Sequence, residues 1–171
     1  MEELAPVTFE NTMQAASFGM SFILVPQEIG EKWHAQGHKR ALATAQYKGK
    51  SNTFHCALQK RKGTYQIIFG SRVWKPLGLN NGDTFQLTLA VDKSKYQAPM
   101  CEELEAVLYS DPEAENIFNN LKPGLQRNII YHVDYVKGEQ KRVDKAIQIM
   151  DRLKMGITEF RQLTRKELQR D

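Results

Sequence analysis

Residues 64–91, TYQIIFGSRVWKPLGLNNGDTFQLTLAV, decide how this chain is read. Residues 64–69 and 84–91 are β-branched and aromatic runs of strand length. Between them Ser71 stands where a helix cap would, and Val73 and Leu77 are four apart, on one helix face. Asn81-Gly82-Asp83 is turn chemistry leading into the second strand. Residues 20–47, MSFILVPQEIGEKWHAQGHKRALATAQY, give the same order. Here residues 20–25 read as a strand, and residues 26–36 as a helix with Pro26 in its first turn. Ile29 and Trp33 share a helix face, Gly37 ends the helix, and residues 40–47 form a strand. An offset of 45 aligns Ile23 with Ile68, Gly37 with Gly82, Leu42 with Leu87 and Ala45 with Ala90. A unit of this size needs its twin to close a core, so the expectation is one pseudo-two-fold barrel made of both copies.

Two more strand-like runs, residues 7–13 and 53–59, bring the count to six. Residues 48–52 and 60–63 read as hairpin turns. The predicted fold class is α+β: a closed six-stranded Greek-key β-barrel with two short helices over residues 1–95, followed by an all-α helical domain over 96–171. In that second part Leu104, Val107 and Leu108 share a helix face, and Asp111-Pro112 is a cap followed by a first-turn proline. Pro123 opens a helix carrying Ile129, Ile130, Val133 and Val136, which Gly138 stops. A last long helix carries Val143, Ala146, Ile147, Met150 and Leu153 up to Gly156. Residues 158–171 form a basic amphipathic tail that either docks or frays.

The totals exclude several classes. With 171 residues, 41% hydrophobic and 26% charged, the chain is globular and long enough to bury a core without staples. Its longest apolar runs are too short to cross a bilayer, so no membrane insertion is expected. The acidic N-terminus is unlike a signal peptide, and Cys56 and Cys101 read as free thiols, so a cytoplasmic location is predicted. Residues 1–95 carry 12 Lys and Arg against 7 Asp and Glu; residues 96–171 carry 12 against 13. An anionic partner is therefore expected on the first half.

The chemistry-bearing pairs all favour the bland reading. His34 and His38 have metal-ligand spacing, but Gly37 interrupts the helix and no glutamate follows His34, so no metal is predicted. His55 and Cys56 are neighbours in a strand and point to opposite faces. Cys101 reads as an incidental thiol. Asp83 and Asp92 stand about 30 Å apart if they bracket a strand, too far to act as an acid–base pair. Lys48-Gly49-Lys50-Ser51 lacks the upstream glycine of a phosphate loop. No catalytic residue and no cofactor are predicted. What remains is a set of basic positions at strand ends and turns: Lys39, Arg40, Lys60, Arg61, Lys62, Arg72 and Lys75. Arg72 and Lys75 on one copy are expected to answer Lys39 and Arg40 on the other along one rim. With Tyr47, Tyr65 and Trp74 for stacking, that set offers phosphates an electrostatic footprint. Arg127, Tyr131 and His132 form a second candidate group.

The chain also resembles known families. Residues 23–49, residues 72–83 and Ala90-Val91-Asp92 are similar to the bacterial domain-of-unknown-function family 1905, which implies the closed Greek-key barrel. Leu77-Gly78-Leu79 with Gly82-Asp83 looks like the turn of AbrB-type swapped-hairpin DNA-binding proteins. Asp111-Pro112, Phe118, residues 121–127, Tyr131, Lys137 and residues 142–147 resemble the YdeI/OmpD-associated family. The chain departs from that pattern at Gly138, Gln140 and Lys141. The resemblance points to a non-enzymatic binding or stress-related accessory protein with the barrel meeting the partner; a monomer or a homodimer is expected. The alternatives are a sequence-tolerant nucleic-acid binder using the basic rim, and an enzyme holding a small anionic ligand between the domains at Arg127, Tyr131 and His132.

Overall fold

A computed structural model describes residues 3–14 and 18–166. The chain divides into two compact units, residues 1–97 and 98–171. In the first unit, β1 (Val7–Thr12), β7 (Thr84–Val91), β3 (Arg40–Tyr47) and β4 (Lys50–Ala57) form one antiparallel sheet in that spatial order. A second sheet has β2 (Met20–Val25), β6 (Thr64–Gly70) and β5 (Gln59–Arg61). Helix α1 (Gln27–Ala35) follows β2, and α2 (Ser71–Leu77) follows β6.

The sheets are open, which corrects the expected closed six-stranded Greek-key barrel followed by an all-α domain. Among the described residues seven strands, not six, form two open antiparallel sheets, with α1 and α2 between strands and the remaining helices after them, in a mixed α+β chain. Alternation of side chains fixes which face of a strand is buried and says nothing about which neighbours its edges take. The unexpected strand, β5, has only three residues. The turn regions also tighten. Lys48-Gly49 and Lys62-Gly63 are two-residue connections with φ of 46° and 77°, and 49° and 81°. Positive φ at both central positions matches the twist of a hairpin, and glycine at the second adopts it without strain. Ser71 does not cap α2: it is the first helical residue, and Gly70 precedes it as the cap.

Inward side chains of both sheets make one core. Ile23, Val25, Ile67 and Phe69 from one meet Ala41, Ala43, Ala45, Phe85, Leu87 and Leu89 from the other. Phe69 stacks on Phe85 at 5.2 Å and lies 5.8 Å from Phe54. The small residues of β3 face large ones across the ladder: Ala43 pairs with Leu89 and Ala45 with Leu87.

The repeat is present, one residue away from the expected alignment. At an offset of 45, buried Ile23 falls on exposed Ile68 and half-buried Leu42 on buried Leu87. At 44, β2 falls on β6, β3 coincides with β7, and buried Trp33 falls on buried Leu77. Strand pairing supports this second register independently. In the β2–β6 ladder Ile23 opposes Ile67, and in the β3–β7 ladder Thr44 opposes Thr88. Each pair is its own equivalent at offset 44, as a two-fold through both ladders requires. Matching identical residues slipped the alignment by one, and a slip of one turns every strand side chain to the opposite face.

In the second unit, α3 (Glu102–Ser110), α4 (Pro112–Asn119), α5 (Pro123–Asp134), α6 (Glu139–Lys154) and α7 (Phe160–Thr164) follow one another. Leu104, Phe118, Ile129, Ile130, Val133, Ile149 and Met150 are buried. Ile149 points inward, whereas Ile147, expected there, is exposed. Asp111 caps α4 by accepting the Ala114 N–H at 3.0 Å. The tail docks as far as Arg165. Glu159 caps α7, Leu163 is buried, and Arg152 donates to the carbonyls of Gln162, Leu163 and Arg165. The rest of the tail, residues 167–171, lies outside the described residues.

Glu103 and Arg142 tie α3 to α6. The guanidinium hydrogen bond, with help from the backbone, holds the Glu103 carboxyl down at about 2, against an ordinary 4.5. A lowered folded-state value means the pair's contribution is present above 4.5 and disappears as pH falls toward 2. Glu103→Gln is therefore expected to destabilise the protein near neutrality, and the gap to the wild type should close in acid. Denaturation midpoints across that range check this; a gap independent of pH contradicts it.

Candidate functional site

The two sheets present opposite kinds of outer face. On the four-stranded sheet, register brings Thr8, Thr88, Thr44 and Thr53 into one row. The hydroxyls of Thr8 and Thr88 pair at 2.8 Å, and those of Thr44 and Thr53 at 2.9 Å. The next row is Glu10, Gln86, Gln46 and Ser51. This is an ordinary solvated face.

The outer face of the three-stranded sheet is apolar. Met20, Phe22 and Leu24 of β2 are 48%, 41% and 54% exposed, and Ile68 of β6, opposite Phe22, is 39% exposed. Alternation explains the geometry: Ser21, Ile23 and Val25 take the core side, so the residues between them must face out. It does not explain the residue types. At offset 44 the second copy carries Thr64 where the first has Met20, and Gln66 where it has Phe22. Two of the three outward positions thus take a polar side chain in the sister strand, and the third, Leu24, falls on Ile68. Beyond Gln66 and Gln59, the face ends at Thr64 and Arg61, with Lys62 in the turn.

Of the sequence-predicted basic residues, Lys60, Arg61 and Lys62 fall together in the β5–β6 hairpin; Lys60 also lies over the Tyr65 ring at 5.2 Å. Arg72 and Lys75 are on α2, and Lys75 lies over Trp74 at 5.7 Å. Lys39 precedes β3 and offers its carbonyl to the Leu58 N–H. Arg40 is half-buried and donates to the Gln97 carbonyl at 3.0 Å. Arg72 and Lys75 do not answer Lys39 and Arg40 across the repeat: at offset 44 their counterparts are Glu28 and Glu31. Arg127, Tyr131 and His132 all lie on α5. The His132 ring packs edge-on to Phe160 at 5.8 Å, and burial followed by nearby Lys145 pushes its pKa down. Tyr131 leans on Tyr135 at 6.4 Å. An open groove of about 690 Å³ runs beside α6, where Lys141, Lys145 and Arg152 alternate with Asp144 and Asp151.

Reactive pairs dissolve into structural contacts. Cys56 is buried, and burial pushes its thiol up to about 12, far from a nucleophile. His34 bonds the Leu58 carbonyl at 2.9 Å and packs on Tyr65. His38 packs on Trp33. Asp83 accepts the Asn80 N–H at 2.8 Å, as a turn residue does.

One polar cluster was not legible in the sequence. His55 Nδ1 lies 2.6 Å from Asp92 Oδ2, and Asp92 Oδ1 accepts from the Ser94 N–H and hydroxyl. The Asp92 carboxylate is 1% exposed. Its burial pushes the pKa up, but the hydrogen bonds from His55 and Ser94 outweigh that and hold it below 3.8. The cluster fastens the end of β7 to β4. The one local sign of it was Asp92 two residues before Ser94, an Asx-turn spacing. Asp92→Asn is expected to cost about 2–3 kcal/mol near neutrality, since it weakens a buried charge-assisted bond and leaves a poorly matched donor. Because the carboxyl titrates below 3.8, the wild-type advantage is lost only as pH falls through that range. Urea denaturation measures it; a loss under about 0.5 kcal/mol is what a surface carboxylate gives and contradicts the account.

Among the described residues no helix is long and apolar enough to cross a membrane, and no group of His, Cys, Asp and Glu is placed to hold a metal. Residues 97–156 match the family described as bacteriocin-protection, YdeI or OmpD-associated. The resemblance read from that part of the sequence is thereby shown, over roughly a third of the chain. No curated protein matches the chain.

Proposed function

We propose that this chain is a non-enzymatic binding or stress-related accessory protein that meets its partner through the first unit. The observation that carries this is the apolar outer face of β2 and β6. Four large apolar side chains lie exposed side by side there, where single exposed residues would be ordinary. The sister strand supports the reading at two of these positions, since Thr64 and Gln66 are the equivalents of Met20 and Phe22, while Leu24 and Ile68 are each other's equivalents. The description of the family matched by residues 97–156, bacteriocin protection, fits an activity exercised by binding. Two free thiols, Cys56 and Cys101, fit a reducing cytoplasmic setting.

A photo-crosslinking side chain placed at Phe22, and separately at Gln86 on the threonine-rich face, tests the reading in source cells. A discrete adduct from position 22 and none from 86 is expected. Adducts from both positions alike, or from neither, contradict it.

A further inference from the structure

We propose that the outer face of β2, β6 and β5 receives an amphipathic helix from a protein partner, one whose apolar stripe ends in acidic side chains. This rests on the binding reading of the same face and adds the chemistry of the occupant. The strip is two strands wide at Met20 and Phe22 and three from Leu24 onward, where Gln59 joins Gln66; with strands about 4.8 Å apart, one helix of roughly 10–12 Å covers it. Met20, Phe22 and Leu24 run along it for about 14 Å, the reach of two to three helical turns. Such a stripe presents apolar groups at i, i+3 or i+4, and i+7. Methionine at one end adapts to an irregular partner surface.

Charge selects the flank. Among the described residues no Asp or Glu belongs to the strands of this face; its charged end is Arg61, with Lys62 next to it in the turn. A helix bringing carboxylates to that end gains complementary charge at a partly dehydrated rim. A second copy of this chain would bring another Arg61 and Lys62 and no carboxylate from this face to meet them. Single-stranded nucleic acid requires stacking platforms, and only Phe22 of the four apolar side chains is aromatic. An extended peptide adding to a sheet edge is disfavoured too. The Leu24 carbonyl on the β2 edge already accepts the Asn11 amide at 2.7 Å, and the opposite edge, β5, has three residues.

The test uses the purified full chain and a fluorescently labelled synthetic helix of about 18 residues, with a leucine stripe and glutamates at one end. Fluorescence anisotropy is expected to show saturable binding. Met20→Thr with Phe22→Gln, or Arg61→Glu with Lys62→Glu, should each weaken it at least about tenfold. Replacing the peptide's glutamates with lysines should weaken it similarly. The proposal is overturned if the acidic peptide does not bind or if the lysine peptide binds equally well. It is also overturned if single-stranded DNA or phosphatidylglycerol vesicles bind through Phe22 while the peptide does not. A Phe22-dependent dimer by sedimentation, without peptide binding, has the same consequence. A discrete crosslink at position 22 with no peptide binding removes the helix and leaves the binding reading; failure of both removes both.

Discussion

Gly30→Ala is expected to destabilise the first unit by about 3 kcal/mol or more. The sign is what makes this informative. Gly30 lies in helix α1, and glycine-to-alanine inside a helix ordinarily stabilises by about 0.5–1 kcal/mol. Here a β-carbon would stand 2.1 Å from Cγ of Tyr65 and 2.7 Å from its Cβ. Tyr65 is buried on β6, its ring is packed by His34, and Cβ is fixed to the strand, so the clash has no flexible end to push aside. Both tryptophans, Trp33 and Trp74, belong to this unit, so tryptophan fluorescence follows its unfolding. Combining Gly30→Ala with Tyr65→Ala should cost less than the sum of the two, because the second change removes the ring atoms at 2.1 and 2.3 Å and leaves only the Cβ contact. A neutral or stabilising Gly30→Ala would mean that α1 does not press on β6.

The second large effect is at Phe69, which is fully buried between Phe54 and Phe85. Its strand belongs to the three-stranded sheet and its two aromatic neighbours to the four-stranded one. Phe69→Ala is expected to cost about 3–5 kcal/mol, from lost burial and the cavity left between sheets. Loss of the aromatic pairs adds to that. Ile68→Ala, one residue earlier but facing out, should cost far less. Equal effects at 68 and 69 would contradict the shared core.

Much of this architecture was readable from local chemistry. The two short helices were placed by Ile29 with Trp33 and by Val73 with Leu77, the second unit's helices by Asp111-Pro112 and Pro123, and the strands by alternation. These signals act over a few residues, so a linear chain carries them. What was hidden depends on partners brought from afar. Sheet closure depends on which edges pair, and β5 is too short to announce itself. Asp92 finds His55 from 37 residues away. Residues 22–25 read as a continuous apolar run, which suggests a strand buried on both faces; only pairing shows that Phe22 and Leu24 are turned outward. The sister strand held the clue, since Thr64 and Gln66 alternate with Tyr65 and Ile67 where β2 does not alternate. Reading it required the offset of 44. The basic residues were legible as residues, while their placement was not: three share a hairpin, Lys39 and Arg40 stand at the start of β3, Arg72 and Lys75 lie on α2, and Arg127 lies on α5.

If the apolar residues of β2 serve a partner and not the fold, the protein should tolerate their loss. The most direct measurement is the unfolding free energy of Met20→Thr combined with Phe22→Gln, the residues that the sister strand uses. The account predicts stability within about 1 kcal/mol of the wild type, with cooperative unfolding retained. A loss of about 3 kcal/mol or more would show these side chains to be core, and would contradict a binding face there.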